Sequence, residues 1–199
     1  MLRIALPTAG LLLATTLPTL AQQPAAPVAL SVGVVNSYRF QTTDSRLANY
    51  YGLGSKIQVV LHDKWRVGFA QLTSLAPKNL LTTPGLGSGH TRLAEYAVRG
   101  GAKWHIASSA YALGDIQAGI GTLHQGSSLE GLADSKSSFL TAAAEVGLGY
   151  QVTPFLALEA GASYHRYFNG NELPVATKEL NNLSAELSLV GTLGLTKQR

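Results

Sequence analysis

The chain has 199 residues, and its 15 Lys/Arg and 11 Asp/Glu make it only 13% charged, against roughly 25% for an ordinary soluble domain. With 21 glycines, 46% hydrophobic residues and no cysteine, it is not disordered, collagen-like or disulfide-stapled, and it has no thiolate metal or redox chemistry. The formal charge of +4 does not indicate nucleic acid, because Arg39, Lys56, Arg66, Arg99 and Lys103 stand singly in apolar segments instead of forming a basic stripe.

The first predicted element is a targeting segment. Met1-Leu2-Arg3 supplies a positive start, Ile4 to Thr16 an apolar run around Leu11-Leu12-Leu13-Ala14, and Thr19-Leu20-Ala21 the small residues of a cleavage site. Residues 1–21 therefore read as a secretory signal peptide; Pro7, Gly10 and Pro18 make the run a poor membrane anchor. Residues 22–27 read as a periplasmic linker and residues 28–199 as one barrel domain.

No later stretch reaches the roughly 18 apolar residues of a membrane helix. The period is two instead. In chain order, Leu30, Val32, Val34, Tyr38 and Phe40 alternate with Ser31, Gly33, Val35, Ser37 and Arg39. Leu53, Ile57, Val59 and Leu61 oppose Gly52, Gly54, Lys56 and Gln58, and Trp65, Val67 and Phe69 oppose Arg66, Gly68 and Ala70. Ala94, Tyr96, Val98, Ala102 and Trp104 oppose Glu95, Ala97, Arg99, Gly101 and Lys103. Ile116, Ala118, Ile120 and Thr122 oppose Asp115, Gln117, Gly119 and Gly121, and the even positions from Leu140 to Val152 oppose Thr141, Glu145 and Gln151. Leu156, Leu158, Ala160, Ala162 and Tyr164 oppose Glu159 and Ser163, and Leu183, Leu187, Leu189 and Leu193 oppose Ser184, Glu186 and Ser188.

These eight strands have one lipid-like face and one small or polar face. The third loses its pattern after Phe69, and the fifth changes phase near Gly114, because Tyr111 and Leu113 fall on the polar side; a bulge or a later strand start would account for that. Pro24, Pro27, Pro77, Pro84, Pro154 and Pro174 all lie between strands, as a closed hydrogen-bonded sheet requires.

The connections alternate in length. Short ones fall at His62 to Lys64, around His105 to Ala110 and at Thr153-Pro154; long ones run from Gln41 to Tyr50, Ala76 to Thr91, Gln125 to Ser137 and Arg166 to Asn181. An up-and-down outer-membrane barrel has this alternation of short periplasmic turns and long external loops. Trp65, Trp104, Tyr150 and Phe155 lie beside the short turns, and Tyr38, Phe40, Tyr51, Tyr164, Tyr167 and Phe168 near the long loops, as two interfacial girdles. The fold class is an all-β, eight-stranded antiparallel up-and-down transmembrane β-barrel.

A charge facing lipid near the midplane costs roughly 2 to 4 kcal/mol. Arg39, Lys56, Arg66, Arg99 and Lys103 are therefore expected inside, paired with Glu95, Asp115, Glu145, Glu159 and Glu186. Eight strands enclose just enough space for side chains to fill, so this network should plug the lumen. A soluble half-buried sheet would carry more Lys and Glu than this chain does.

The stretch Val146-Gly-Leu-Gly-Tyr-Gln-Val-Thr-Pro-Phe-Leu-Ala-Leu-Glu-Ala-Gly-Ala-Ser-Tyr164, with a Gly-x-Gly-aromatic step, a tight Thr-Pro turn and a strand closing on Tyr, resembles the penultimate hairpin of small outer-membrane β-barrel proteins of the outer membrane protein A/X type. The resemblance implies an integral barrel of a Gram-negative outer membrane, with a role in envelope integrity, adhesion or host interaction. It also implies contact with outer-membrane lipid and lipopolysaccharide, and with the barrel-assembly machinery during insertion. The chain departs from the family at Leu195-Thr-Lys-Gln-Arg199, where such proteins close on an aromatic that the machinery reads. No appended peptidoglycan-binding domain is expected.

Catalytic, cofactor and metal patterns are thin. There is no GxxxxGK[ST], GxSxG or HExxH, and Gly85-Leu-Gly-Ser-Gly89 has no helix after it. The histidines His62, His90, His105, His124 and His165 sit at turns or strand ends without metal-ligand spacing. Glu159, Ser163 and His165 share a strand face and would be the hydrolytic set of a lipid A-modifying barrel, but the deacylase pattern has His before Ser, and four residues of strand separate Glu159 from Ser163 by about 13 Å. The expectation is a non-enzymatic barrel without cofactor. The alternatives are the lipid A-modifying enzyme, a soluble lipocalin-like binding barrel, which would need an apolar interior, and a narrow porin. Loop three (Ser127, Ser128, Glu130, Asp134, Lys136) and loop four (Asn169 to Glu172) carry no ligand motif, and Arg46, Lys78, Arg92 and Arg166 are possible lipopolysaccharide contacts.

Overall fold

The computed structural model describes residues 28–41, 48–75, 91–125, 135–168 and 177–195. The signal peptide, the linker, Arg46, Lys78, His90, five of the six prolines named above, most of loops three and four, and the tail after Leu195 lie outside the described residues.

The strands are β1 (Val28–Gln41), β2 (Tyr50–Leu61), β3 (Trp65–Leu75), β4 (Thr91–His105), β5 (Ala110–Gln125), β6 (Ser135–Thr153), β7 (Leu156–Phe168) and β8 (Asn182–Gly194), with a four-residue helix, α1 (Thr177–Leu180), before β8. Each pairs antiparallel with its sequence neighbours, and β1 pairs with β8 from Ala29↔Gly194 to Gln41↔Asn182, which closes the barrel. Closure leaves no strand edge and satisfies the ladder hydrogen bonds within the sheet, the condition for strands that cross a hydrocarbon layer. The shortest strand has 11 residues, enough to span at the usual tilt.

Alternation sorts the side chains. On β1, Ser31, Gly33, Val35, Ser37 and Arg39 are buried in the lumen while Val32, Val34 and Phe40 are exposed. The outward face is uncharged through its middle, with Asn36, Ser55 and Gln71 among its polar members on β1 to β3.

Two irregularities expected from sequence are absent. β5 starts at Ala110 and runs without a bulge at Gly114, in continuous register with β4 and β6. Tyr111 and Leu113 point inward, buried with Ala157. They fit because their partners across the ladder are Gly149 and Gly147; a Cβ on Gly149 would stand 2.2 Å from the Tyr111 ring. The register shift lies instead between Gln151 and Thr153, where β6 turns into β7. β3 likewise continues past Phe69 to Leu75, and Leu72 lies over Gly52 and Gly54 of β2.

The β2–β3 connection is the three residues His62 to Lys64, in which His62 and Asp63 have φ of 51° and 54° and Lys64 N–H bonds Leu61 C=O at 3.0 Å. Positive φ at both central positions is the hairpin geometry that matches strand twist. At the opposite, long-loop end an apolar layer caps the lumen: Tyr50, Leu93, Leu123, Phe139, Tyr167 and Leu180 are all buried together. Leu180, from α1, is only 1% exposed.

Candidate functional site: the lumen

Between the Tyr111 layer and the capping layer the lumen holds two polar networks. The central one runs as a chain of alternating sign. Lys56 Nζ lies 2.6 Å from Glu159, Arg66 reaches Glu159 at 2.9 Å and also Asp115, and Arg99 bonds Asp115 at 2.5 Å and Glu145 at 2.8 Å. Tyr111 O–H donates to Glu159 at 2.8 Å, and Gln117 donates to Glu145 at 3.2 Å. The network thus ties β2, β3, β4, β5, β6 and β7 across the barrel rather than along the sheet.

The second network sits under the cap. Arg39 grips Glu95 with both Nη atoms at 2.9 Å, and donates to Tyr167 Oη at 2.7 Å. Tyr167 O–H donates to Glu95 at 2.5 Å, and Asn182 donates to Tyr167 at 3.2 Å and to Leu180 C=O at 2.8 Å. Ser37 and Ser184 share a 2.5 Å bond, and Ser163 O–H donates to Glu186 at 2.6 Å. His165 lies between two carboxylates, Nδ1 at 3.6 Å from Glu95 and Nε2 at 3.8 Å from Glu186. A cavity of about 30 Å³ separates the networks, lined by Arg39, Glu95, Arg99, Gln117, His165 and Glu186, room for about two water molecules.

Nine of the ten residues expected in the interior charge network lie in these two groups. Lys103 does not. It is on the lumen side but only two residues from the end of β4, where it pairs with Asp63 of the β2–β3 turn and stands 5.1 Å over the Tyr111 ring. His105 joins Asp63 at 2.8 Å.

Sequence reasoning left Tyr167 and Asn182 out of the networks, took Tyr111 for an irregularity, and set His165 among strand-end histidines although it shares a face with Glu159 and Ser163. His165 is not a strand-end histidine but a lumen residue 3% exposed, and Tyr167 is not in the aromatic girdle but turned inward at 3%. The odd parity that already joins His165 to Glu159 and Ser163 on β7 extends to Tyr167 and is the signal that would have placed it; Tyr111 shares that of Asp115. The other predicted girdle residues face outward or lie half-buried at the surface. Trp65, Trp104, Tyr150 and Phe155 are exposed at the short-turn end, and Phe40, Tyr51 and Tyr164 at the long-loop end, where Tyr38 packs on Phe40 and Tyr51 with ring centroids 4.7 Å apart in each pair.

Ser163 and His165 do meet, Oγ to Nε2 at 2.8 Å, but the carboxylate beside them is Glu186, while Glu159 belongs to the central network. A hydroxyl has one hydrogen, and that of Ser163 is given to Glu186. His165 Nε2 is then the donor to Ser163, opposite to the direction of proton removal that activates a nucleophile.

Neither a family model nor a curated protein matches the sequence. Solved structures do match the fold. Neisserial surface protein A aligns with a TM-score of 0.60 and 16% identity over 85% of this chain and 98% of that one. The attachment invasion locus protein Ail of Yersinia pestis gives 0.54 and 15% over 84% and 99%, and it is also known in complex with the heparin analogue sucrose octasulfate. The N-terminal barrel domain of Pseudomonas aeruginosa OprF gives 0.52 and 10% over 83% and 97%. The chain has the closed, eight-stranded antiparallel fold of the small outer-membrane β-barrels.

Proposed function

We propose that the protein is an integral outer-membrane barrel with a plugged lumen, exported through a cleaved signal peptide and acting through its four external loops in envelope integrity or surface interaction. The observation that carries this is the inversion of its two faces: residues as apolar as Ile116 and Val146 are 71% and 68% exposed, while Arg39, Lys56, Arg66, Arg99 and five carboxylates are buried inside. Water would penalise the first set and hydrocarbon the second; only lipid outside and a packed polar interior suit both. On this reading the short-turn end faces the periplasm. The surroundings are outer-membrane lipid and lipopolysaccharide, and the assembly machinery inserts the chain.

The lumen supports a plug rather than a pore or a ligand site. Its cavity of about 30 Å³ is a tenth of the smallest ordinary ligand pocket, and its lining is charged where a lipocalin-like barrel would be apolar. Ser163, 2% exposed and already bonded to Glu186, is sealed from any lipid substrate, which favours a non-enzymatic protein. Neisserial surface protein A and Ail are surface and attachment proteins by name; the same division of labour, a barrel for anchorage and loops for contact, fits this chain.

Outer-membrane fractionation with heat-modifiable migration on SDS gels tests the proposal. A band that shifts on boiling and stays with the membrane is expected, and recovery of soluble protein from the periplasm without detergent would overturn it. Planar bilayers should show no conductance, and Ser163→Ala with His165→Ala should leave the lipid A profile unchanged.

A further inference from the structure

At the long-loop end the outward face is not uniform. On β7, β8, β1 and β2 it carries Tyr164, Leu183, Phe40 and Tyr51, all exposed, and β7 continues to Arg166, which stands 5.2 Å over the Phe168 ring. On β4, β5 and β6 no aromatic side chain stands there. Arg92, His124 and Lys136, each exposed, occupy one row across the three strands, joined by the pairings Arg92↔His124 and His124↔Lys136. At the usual strand spacing the two cations flank the imidazole across about 10 Å.

Two further rows follow on the same face. About 7 Å toward the middle of the barrel come Ala94, Thr122 and Ser138, small side chains that leave a shallow step and offer two hydroxyls. One more step down stand Tyr96, Ile120 and Leu140, 38%, 53% and 46% exposed. The acids of these three strands, Glu95, Asp115 and Glu145, all point into the lumen. The surface therefore presents, in order of depth, positive charge, hydroxyls and apolar bulk.

We infer that this three-row surface on β4–β6 is a binding site for an anionic glycolipid of the outer leaflet, its phosphate held by Arg92 and Lys136, its sugar hydroxyls against Thr122 and Ser138, and its acyl chain along Tyr96, Ile120 and Leu140. The inference rests on the membrane orientation proposed above and assigns the lipid contact to one side of the barrel. A zwitterionic headgroup fits less well, since its own ammonium would face the cations. The aromatic sector on the opposite side has the ordinary interfacial belt, which holds a barrel at its depth without choosing among headgroups.

The test is native mass spectrometry of the full chain folded in mild detergent and titrated with bisphosphorylated lipid A, dephosphorylated lipid A and phosphatidylethanolamine. Wild type should retain bisphosphorylated lipid A in preference to the other two. R92Q/K136Q should bind it about thirtyfold more weakly, given the contribution of each interfacial cation, while R92K/K136R and the short-turn control K64Q should match wild type. Lipid A affinity unchanged in R92Q/K136Q would overturn the site, as would equal retention of the dephosphorylated lipid or displacement by inorganic phosphate alone. Heat-modifiable migration is measured on the same samples: a wild type that never folds in detergent or lipid contradicts the membrane proposal, whereas one that folds but shows no lipid preference contradicts only this site.

Discussion

Asp115 and Ile116 are adjacent on β5 and face opposite environments. Asp115 is 3% exposed and accepts from both Arg66 and Arg99, while Ile116 is 71% exposed on the outward face, paired with Gly100 of β4 and Ala144 of β6. In a soluble domain these burials would be exchanged. Here the half-turn between successive residues of a strand separates a polar, cross-linked interior from an apolar exterior. The low charge of the chain is thus a matter of placement: charge is absent from the middle of one face and concentrated on the other.

Four substitutions probe that contrast. The largest effect should come from Asp115→Ala, which leaves two buried guanidiniums without their shared carboxylate. Removal of one partner from such a pair costs about 3–5 kcal/mol, measurable by guanidinium unfolding in vesicles. A loss below about 1 kcal/mol would mean that the interior is wet enough to solvate the arginines. Ile116→Lys, one residue away, should cost about 2–4 kcal/mol in the same assay, the penalty for a cation in the hydrocarbon midplane; a neutral outcome would place that face in water.

Gly121→Ala tests interior packing. A Cβ there would stand 2.0 Å from the Phe139 ring in the capping layer, and overpacking of this kind costs about 1–3 kcal/mol. An unchanged unfolding midpoint would show that the cap yields easily. Lys64→Gln, at the short turn and 5.2 Å over the Trp65 ring, should change stability by no more than about 0.5 kcal/mol, because both groups lie at the surface; a larger loss would mean that the turn end is more deeply held than its exposure shows.

Much of this molecule was legible along the chain because a period of two is a local signal. The β2–β3 turn falls between Leu61 and Trp65 as expected, and the Gln41-to-Tyr50 connection ends where β1 and β2 do. The signs of the lumen charges were legible for the same reason. What escaped depends on register between strands that are distant in sequence. Tyr111 and Leu113 look out of phase until Gly149 and Gly147 are set opposite them, and Leu72 looks misplaced until Gly52 and Gly54 of β2 lie beneath it. Lys103 has the parity of the network but not its depth, since Asp63 of the neighbouring turn reaches it first. Tyr167 carries an aromatic ring that suits an interfacial belt, yet its parity with Glu159 turns it toward Arg39. Composition suggested one place for such residues and strand geometry another, and geometry prevailed.

The central claim is that lipid, not water, covers the outward face, and the two tryptophans report on it directly. Trp65 and Trp104 are 54% and 51% exposed at the short-turn end, and they are the only tryptophans in the chain. In vesicles of lipid brominated near the headgroup end of the acyl chains, the account predicts blue-shifted emission that is strongly quenched by the bromines and little affected by aqueous iodide. Emission at the wavelength of tryptophan in water, quenched by iodide and indifferent to the brominated lipid, would contradict it.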